Sequence, residues 1–180
     1  MYSSSCDILY KSPYFIVSRC EAVDIVNFVA TLGIALGLAG GLAGSSIGTA
    51  RAASAGLTVL AEEPGYFKQV LILSALPMTQ TFYGLIFTML GLTSVLPSVR
   101  ELTALKGWAF LGIGIAVFCA EFASAWMQGV VCMSGIIEVP KTKGGIWVHT
   151  MILASYVELF GILGLVFGYL LLTMVAGLPV

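Results

Sequence analysis

A chain of 180 residues with 9% charged and 59% hydrophobic side chains cannot clothe itself in a water-soluble surface, because soluble domains carry about a quarter of their residues as charges. Its solvent is lipid. The formal net charge of −1, without a basic stripe, excludes a nucleic-acid-binding field, and the length leaves room for four spans and short connections but no second domain.

Residues 1–21 are mixed, with Ser3-Ser4-Ser5, Lys11, Pro13 and Arg19, and the apolar patch Tyr14-Phe15-Ile16-Val17 is too short for the core of a signal peptide. This stretch is expected to be a disordered or interfacial tail. The first apolar run covers Ile25 to Ala50 and continues helically toward Ala61; the second covers Val70 to Leu96, the third Trp108 to Ile137 and the fourth Ile146 to Leu178. Each exceeds the roughly 20 residues that cross a bilayer as a helix. The breaks between them are short: Glu62-Glu63-Pro64-Gly65, then Pro97 to Lys106, then Glu138 to Gly145. Short breaks make antiparallel neighbours. The expected fold is therefore an all-α membrane protein of four transmembrane helices, arranged as two fused hairpins of the same topology, residues 22–97 and 98–180. Trp108 and Trp147 fall where interfacial anchors belong. His149, nine residues from Glu158, lies on the opposite face of the fourth helix and reads as an interfacial residue.

Charge does not orient the chain. Lys11, Arg19, Arg100 and Lys106 on one side balance Arg51, Lys68, Lys141 and Lys143 on the other. Of the cysteines, Cys6 and Cys20 lie in the tail, and Cys119 and Cys132 read as small apolar fillers. No C-x-x-C spacing is present, so neither a disulfide framework nor a zinc site is expected.

The two halves repeat. Ser46 to Gly56 matches Ala125 to Gly135 at a displacement of 79, and Met78-Thr79-Gln80-Thr81-Phe82 lies over Tyr156-Val157-Glu158-Leu159-Phe160 at a displacement of 78. Two copies of one hairpin form a parallel repeat, because two helices return the chain to its starting side. Small residues recur every four positions in the first helix (Gly33, Gly37, Gly41, and Gly40, Gly44, Gly48, Ala52, Gly56) and in the third (Ala116, Ala120, Ser124). Such stripes let helix backbones touch. Their length suits inner helices packed against copies of themselves in a tight ring.

The polar residues inside the spans carry the chemistry. Glu158 lies deep in the fourth helix, where a lone ionised carboxylate costs at least a few kcal/mol. It must be protonated, paired with a cation or exposed to water; a structural hydrogen bond to a neighbouring helix is the plainer alternative. In the second span Leu76, Thr79, Gln80 and Tyr83 share a face, and Pro77 frees a carbonyl one turn earlier and bends the helix. Gln128 in the third span adds a second amide. Either glutamine alone is readily explained as interhelical glue. Together with Glu158 the set supplies oxygen ligands and one negative charge, as a small hard cation requires; a proton requires only the carboxylate. Glu121, seven residues before Gln128, lies on nearly the same face about two turns away. It reads as a protonated structural acid, a water-facing group in a ring interior or a relay acid.

The segments Leu76-Pro77-Met78-Thr79-Gln80-Thr81-Phe82-Tyr83-Gly84, Gln128-Gly129 and Tyr156 to Gly164 resemble those of the proteolipid (K or c) subunit of V-type rotary ATPases, most closely the sodium-translocating bacterial type. The resemblance covers Asp24 to the C-terminus; the N-terminal tail and Glu121 depart from it. It implies a multi-pass protein of the bacterial plasma membrane, non-catalytic on its own, that assembles as a homo-oligomeric rotor ring in an ATP-driven pump or ATP synthase. It implies that Glu158, Gln128, Gln80, Thr79 and the Leu76 carbonyl bind Na⁺, with H⁺ as the alternative ion, and that Tyr83 hydrogen-bonds Glu158. It further implies a stator subunit with an essential arginine, central-stalk subunits meeting the loops at 62–68 and 138–145 on the cytoplasmic side, and lipid around the ring. A stand-alone transporter or channel built of two hairpins, and a purely structural packing protein, are the readings from other classes.

Overall fold

The computed structural model describes the backbone of residues 13–179 and the side chains of residues 25–179. Among the described residues, four stretches of helix are long and apolar enough to cross a membrane: Ile25–Glu62, Pro64–Ser98, Ala104–Glu138 and Trp147–Ala176. The helix of the first span, α1 (Pro13–Glu62), begins before the apolar run. The backbone of 13–21, part of the expected tail, is thus helical, and residues 1–12 lie outside the described residues. α1 stops where Pro64 forces Glu63 out of helical geometry, to φ −133° and ψ 82°.

The second span is broken by Pro77. Its first part, α2 (Phe67–Ala75), runs into a 3₁₀ turn at Leu76–Met78, and α3 (Thr79–Leu90) continues beyond it. The missing N–H of Pro77 and the clash of its ring with the preceding turn cause the break. The span ends through a π turn at Gly91–Val95 and a 3₁₀ turn at Leu96–Ser98 that contains Pro97. α4 (Ala104–Glu138) is capped by Thr103, whose side chain accepts from the Lys106 amide at 3.4 Å. α5 (Trp147–Ala176) follows a turn in which Gly144 takes φ 82°, a left-handed conformation natural to glycine.

The glycine stripes find their partners within the chain. A Cβ on Gly33 would meet the backbone of Phe110 and Leu111, and one on Gly40 or Gly44 the backbone of Phe118 or Phe122. Gly48 and Gly129 touch backbone to backbone, as do Gly33 and Gly114. These contacts seat α1 against α4. Gly37 and Gly41 face Phe87 and Gln80 of α3, and Gly56 faces Val70 of α2. Within the chain the stripe of α1 thus serves contacts between its own helices. The stripe winds around α1, and its glycines admit α4, α3 and α2 of the same chain. In lipid, where apolar contact alone gives helices little reason to associate, such close packing is a main source of cohesion.

Two apolar clusters form the core. One joins Ala52, Val59, Val70, Leu73, Cys132, Ile136, Val139 and Ala154. The other joins Ala30, Ile34, Phe87, Val95, Phe110, Val117 and Leu172. Between them along the spans sits a polar layer of Gln80, Glu121, Ser124 and Gln128, each at most 3% exposed. Next to this layer the outer surface is strongly apolar, with Phe82, Tyr156, Leu159 and Phe160 each at least half exposed.

Candidate functional site

The break at Pro77 sets up the site. Because Leu76–Met78 is a 3₁₀ turn, the Leu76 carbonyl accepts the Thr79 backbone N–H and also the Thr79 hydroxyl, at 3.1 Å. The turn brings Thr79 and Gln80 to the start of α3, facing α4 and α5. The Thr79 hydroxyl lies 3.2 Å from Gln80 Oε1.

From Gln80 a chain of hydrogen bonds crosses the bundle. Its amide nitrogen donates to Gln128 Oε1 at 2.8 Å and to Ser124 Oγ at 3.0 Å. Gln128 in turn donates through Nε2 to Glu158 Oε2 at 3.2 Å. The other carboxylate oxygen, Oε1, accepts from the Tyr83 hydroxyl at 2.7 Å. Ser124 donates to the Val157 carbonyl at 2.9 Å, which ties α4 to the turn of α5 that bears Glu158. Gln80 and Gln128 are fully buried, whereas Thr79, Tyr83 and Glu158 are half-buried. The carboxylate thus lies at the edge of the bundle, with its polar partners behind it and apolar side chains beside it.

The sequence-predicted residues Leu76, Thr79, Gln80, Tyr83, Gln128 and Glu158 therefore belong to one connected cluster. Its chemistry is a hydroxyl, two amide oxygens, a backbone carbonyl and one carboxylate. These are hard oxygen donors, and the single negative charge balances a monovalent cation or a proton. In this arrangement the Leu76 carbonyl already accepts two hydrogen bonds, and Gln128 directs its nitrogen at the carboxylate and its oxygen at Gln80.

Glu121 stands apart from this chain of bonds. It is fully buried, and neither of its oxygens has a hydrogen-bond partner among the described residues. It therefore does not face water within the chain. Gly161 and Gly164 of α5 make room for it: a Cβ on Gly161 would come within 2.9 Å of Glu121 Oε2. Ser124 enters the cluster although by sequence it reads only as a small residue of the stripe. The signal is present, since it lies four residues before Gln128 and so on the same helical face. His149 is exposed and lies 3.3 Å from the Gly145 carbonyl through Nδ1, away from the cluster. Cys119 and Cys132 are free thiols. Arg51, grouped by sequence with one membrane side, sits within the first span with its guanidinium 4.9 Å from the ring centre of Trp126, a cation–π pair.

The family model for the C subunit of ATP synthase matches residues 32–90 and 111–171, one segment in each hairpin. Two curated relatives are similar over most of this chain. A protein of Methanocaldococcus jannaschii named A-type ATP synthase subunit K is 36% identical over 130 residues, which are 72% of this chain and 57% of the relative. A protein of Enterococcus hirae named V-type sodium ATPase subunit K is 34% identical over 135 residues, which are 69% of this chain and 76% of the relative. The match thus spans little more than half the length of the first relative and about three quarters of the second.

Proposed function

The chain belongs to the family of ATP synthase C subunits as a V-type ATPase proteolipid subunit, and from that premise we propose that it carries Na⁺ on Glu158 as part of a rotor ring. The observation that carries the reading is the cluster itself: one half-buried carboxylate joined to Gln128, Gln80, Thr79 and Tyr83 by hydrogen bonds, amid apolar surface. A proton site has no use for so many oxygen donors beside the carboxyl. The sodium ATPase named among the relatives points the same way.

Copies of the chain form a ring in which α1 and α4 line the inside and the second and fourth spans face outward. Thr79, Gln80, Gln128, Glu158 and the Leu76 carbonyl bind the ion, and the Tyr83 hydroxyl holds the carboxylate toward it. With Na⁺ bound, Glu158 is neutral and passes through lipid. At the stator, an arginine of another subunit and a water-filled path release the ion. A bare carboxylate cannot readily re-enter lipid, because a charge at the centre of a span costs at least about 2.5 kcal/mol; this bars the reverse step until a new ion loads. ATP hydrolysis elsewhere in the complex turns the ring through subunits that meet the loops at 62–68 and 138–145 on the cytoplasmic side of a bacterial plasma membrane. The chain supplies no catalytic residue to that hydrolysis.

Gln80 stands where the repeat would place a second acid, so each four-helix protomer carries one ion. Fewer ions per turn leave more free energy for each, against about 2.3 kcal/mol per charge per 100 mV, which favours pumping.

Carbodiimide labelling of the purified ring tests the reading, because the reagent attacks only a protonated carboxyl. Na⁺ at fixed pH is expected to slow labelling of Glu158. If Na⁺ has no effect while raised pH slows labelling, the ring carries protons and the amides are interhelical glue. Glu158→Gln is expected to abolish rotation-coupled transport, and unchanged transport sinks the assignment.

A further inference from the structure

An amide side chain can face an ion in two ways. With its oxygen forward it is a ligand; with its NH₂ forward it repels a cation. The two ends are nearly the same size, so sterics alone does not choose between them. At Gln80 the choice is made by the groups around its nitrogen. Its nitrogen lies 2.8 Å from Gln128 Oε1 and 3.0 Å from Ser124 Oγ, which leaves Oε1 turned toward the Thr79 hydroxyl at 3.2 Å.

Ser124 is suited to impose this orientation. It is 3% exposed, so water does not compete for it. Its one hydroxyl proton points at the Val157 carbonyl, 2.9 Å away, leaving only lone pairs toward Gln80. A lone pair can accept from the NH₂ group but cannot donate to the oxygen. Turning the amide over would set Gln80 Oε1 against Ser124 Oγ and Gln128 Oε1, replacing two hydrogen bonds by two oxygen–oxygen contacts. Gly161 keeps the place open, since a Cβ there would approach Ser124 Oγ to 3.2 Å. The acceptor Val157 precedes Glu158, so one hydroxyl fixes the amide relative to the turn that carries the carboxylate.

We infer that Ser124 is a positioning residue for ion choice: through its hydroxyl it holds Gln80 with the oxygen toward the ion and so favours Na⁺ over H⁺. Ser124 touches no ion itself. The inference rests on the sodium reading given above. It predicts an effect on Na⁺ alone, because a proton on Glu158 draws nothing from the Gln80 oxygen.

The test uses the assembled ring with Ser124→Ala and Ser124→Thr. Two quantities are read: the Na⁺ concentration that half-protects Glu158 from carbodiimide, and the pH midpoint of labelling without Na⁺. Ser124→Ala is expected to raise the half-protecting concentration about tenfold, as for loss of one or two buried hydrogen bonds, and to leave the Na⁺-free pH midpoint in place. Ser124→Thr, which keeps the hydroxyl, restores most of the protection. Unchanged half-protection in Ser124→Ala overturns the inference. So does a parallel change in both quantities, which marks a merely structural role, or a threonine variant as defective as the alanine one. Should Ser124→Ala fail to assemble, Ser124→Cys, with its much weaker acceptor, is read in the same way and against the same outcomes. A wild-type ring that Na⁺ does not protect overturns the sodium reading and this inference with it; protection that Ser124→Ala retains overturns this inference alone.

Discussion

Replacing Tyr83 by phenylalanine removes a single hydroxyl and keeps the aromatic ring, so its effect isolates the 2.7 Å bond to Glu158 Oε1. A hydrogen bond to a charged group contributes about 1.5–3 kcal/mol. Glu158 and Tyr83 are both half-buried, and the bond from Gln128 that remains puts the loss near the lower end, about 1.5 kcal/mol. The carboxylate keeps its other partner, Gln128 Nε2 at 3.2 Å, so it is held less firmly but not stranded. Since about 1.4 kcal/mol is a factor of ten in a binding constant, Tyr83→Phe is expected to raise the Na⁺ concentration that half-protects Glu158 from carbodiimide about tenfold. The maximal labelling should stay at the wild-type level, because the carboxyl remains in place. Labelling of purified rings over a sodium titration at fixed pH, quantified by mass spectrometry, reads both quantities. A half-protecting concentration within about twofold of wild type refutes the reasoning, because the phenol then does not hold the carboxylate in its ion-binding position.

Three further outcomes follow from the packing. Gly129→Val is expected to cost at least the roughly 1–3 kcal/mol of an overpacked core, because its Cβ would fall on the Gly48 backbone, which no rotamer change can move; the ring should dissociate at lower temperature in detergent, while Gly65→Ala, whose Cβ meets nothing within 4 Å, should match wild type. Glu121→Gln is expected to leave Na⁺ protection and transport intact, since neither Glu121 oxygen bonds to a residue of the cluster; loss of transport with normal ring assembly would put Glu121 in the ion's path. Thr88→Val should lower thermal stability by only about 0.6 kcal/mol, the average for interhelical hydrogen bonds in membranes, because the Thr88 hydroxyl bonds to Ile34 O at 3.0 Å and Leu38 N at 3.2 Å and α1 can close its own ladder without it; a measured shift in Na⁺ half-protection would contradict the separation of this contact from the site.

The spans and the site were legible for different reasons. Apolar runs longer than a bilayer mark the helices directly, and the observed spans differ from the runs mainly at their polar ends, where turns and caps set the boundaries: Pro64 extends the second span upstream of Val70, and Thr103 starts α4 ahead of Trp108. Thr79, Gln80, Tyr83, Gln128 and Glu158 stood out as polar side chains in apolar runs, and Leu76, which joins the cluster only through its carbonyl, shares a helical face with Thr79, Gln80 and Tyr83. What periodicity could not tell was which neighbour each face meets. Gly33, Gly37, Gly41 and Gly56 look alike in sequence, yet they meet α4, α3, α3 and α2 in turn. Ser124 was hidden for the same reason. A serine in a small-residue stripe has a good steric reason to be there, and its hydrogen bonds to Gln80 and Val157 depend on two helices distant in the chain.

The repeat predicts that Gln80 and Glu158 are equivalent, and two equivalent positions suggest two sites, one of which has lost its acid. The geometry gives a different relation. Gln80 bonds to Gln128, and Gln128 bonds to Glu158, so the equivalent residues of the two hairpins converge on one cluster. In that setting the amide at position 80 has a purpose beyond the absence of charge. A second carboxylate at position 80 would join Glu158 in one small buried cluster, where two like charges cannot both persist without a second cation. An amide instead offers an oxygen beside the Thr79 hydroxyl and N–H donors that Gln128 and Ser124 accept. The first hairpin thus contributes an uncharged side chain to the cluster around Glu158, and the α1–α4 glycine contacts at Gly33, Gly48, Gly114 and Gly129 hold the two hairpins close enough for those hydrogen bonds.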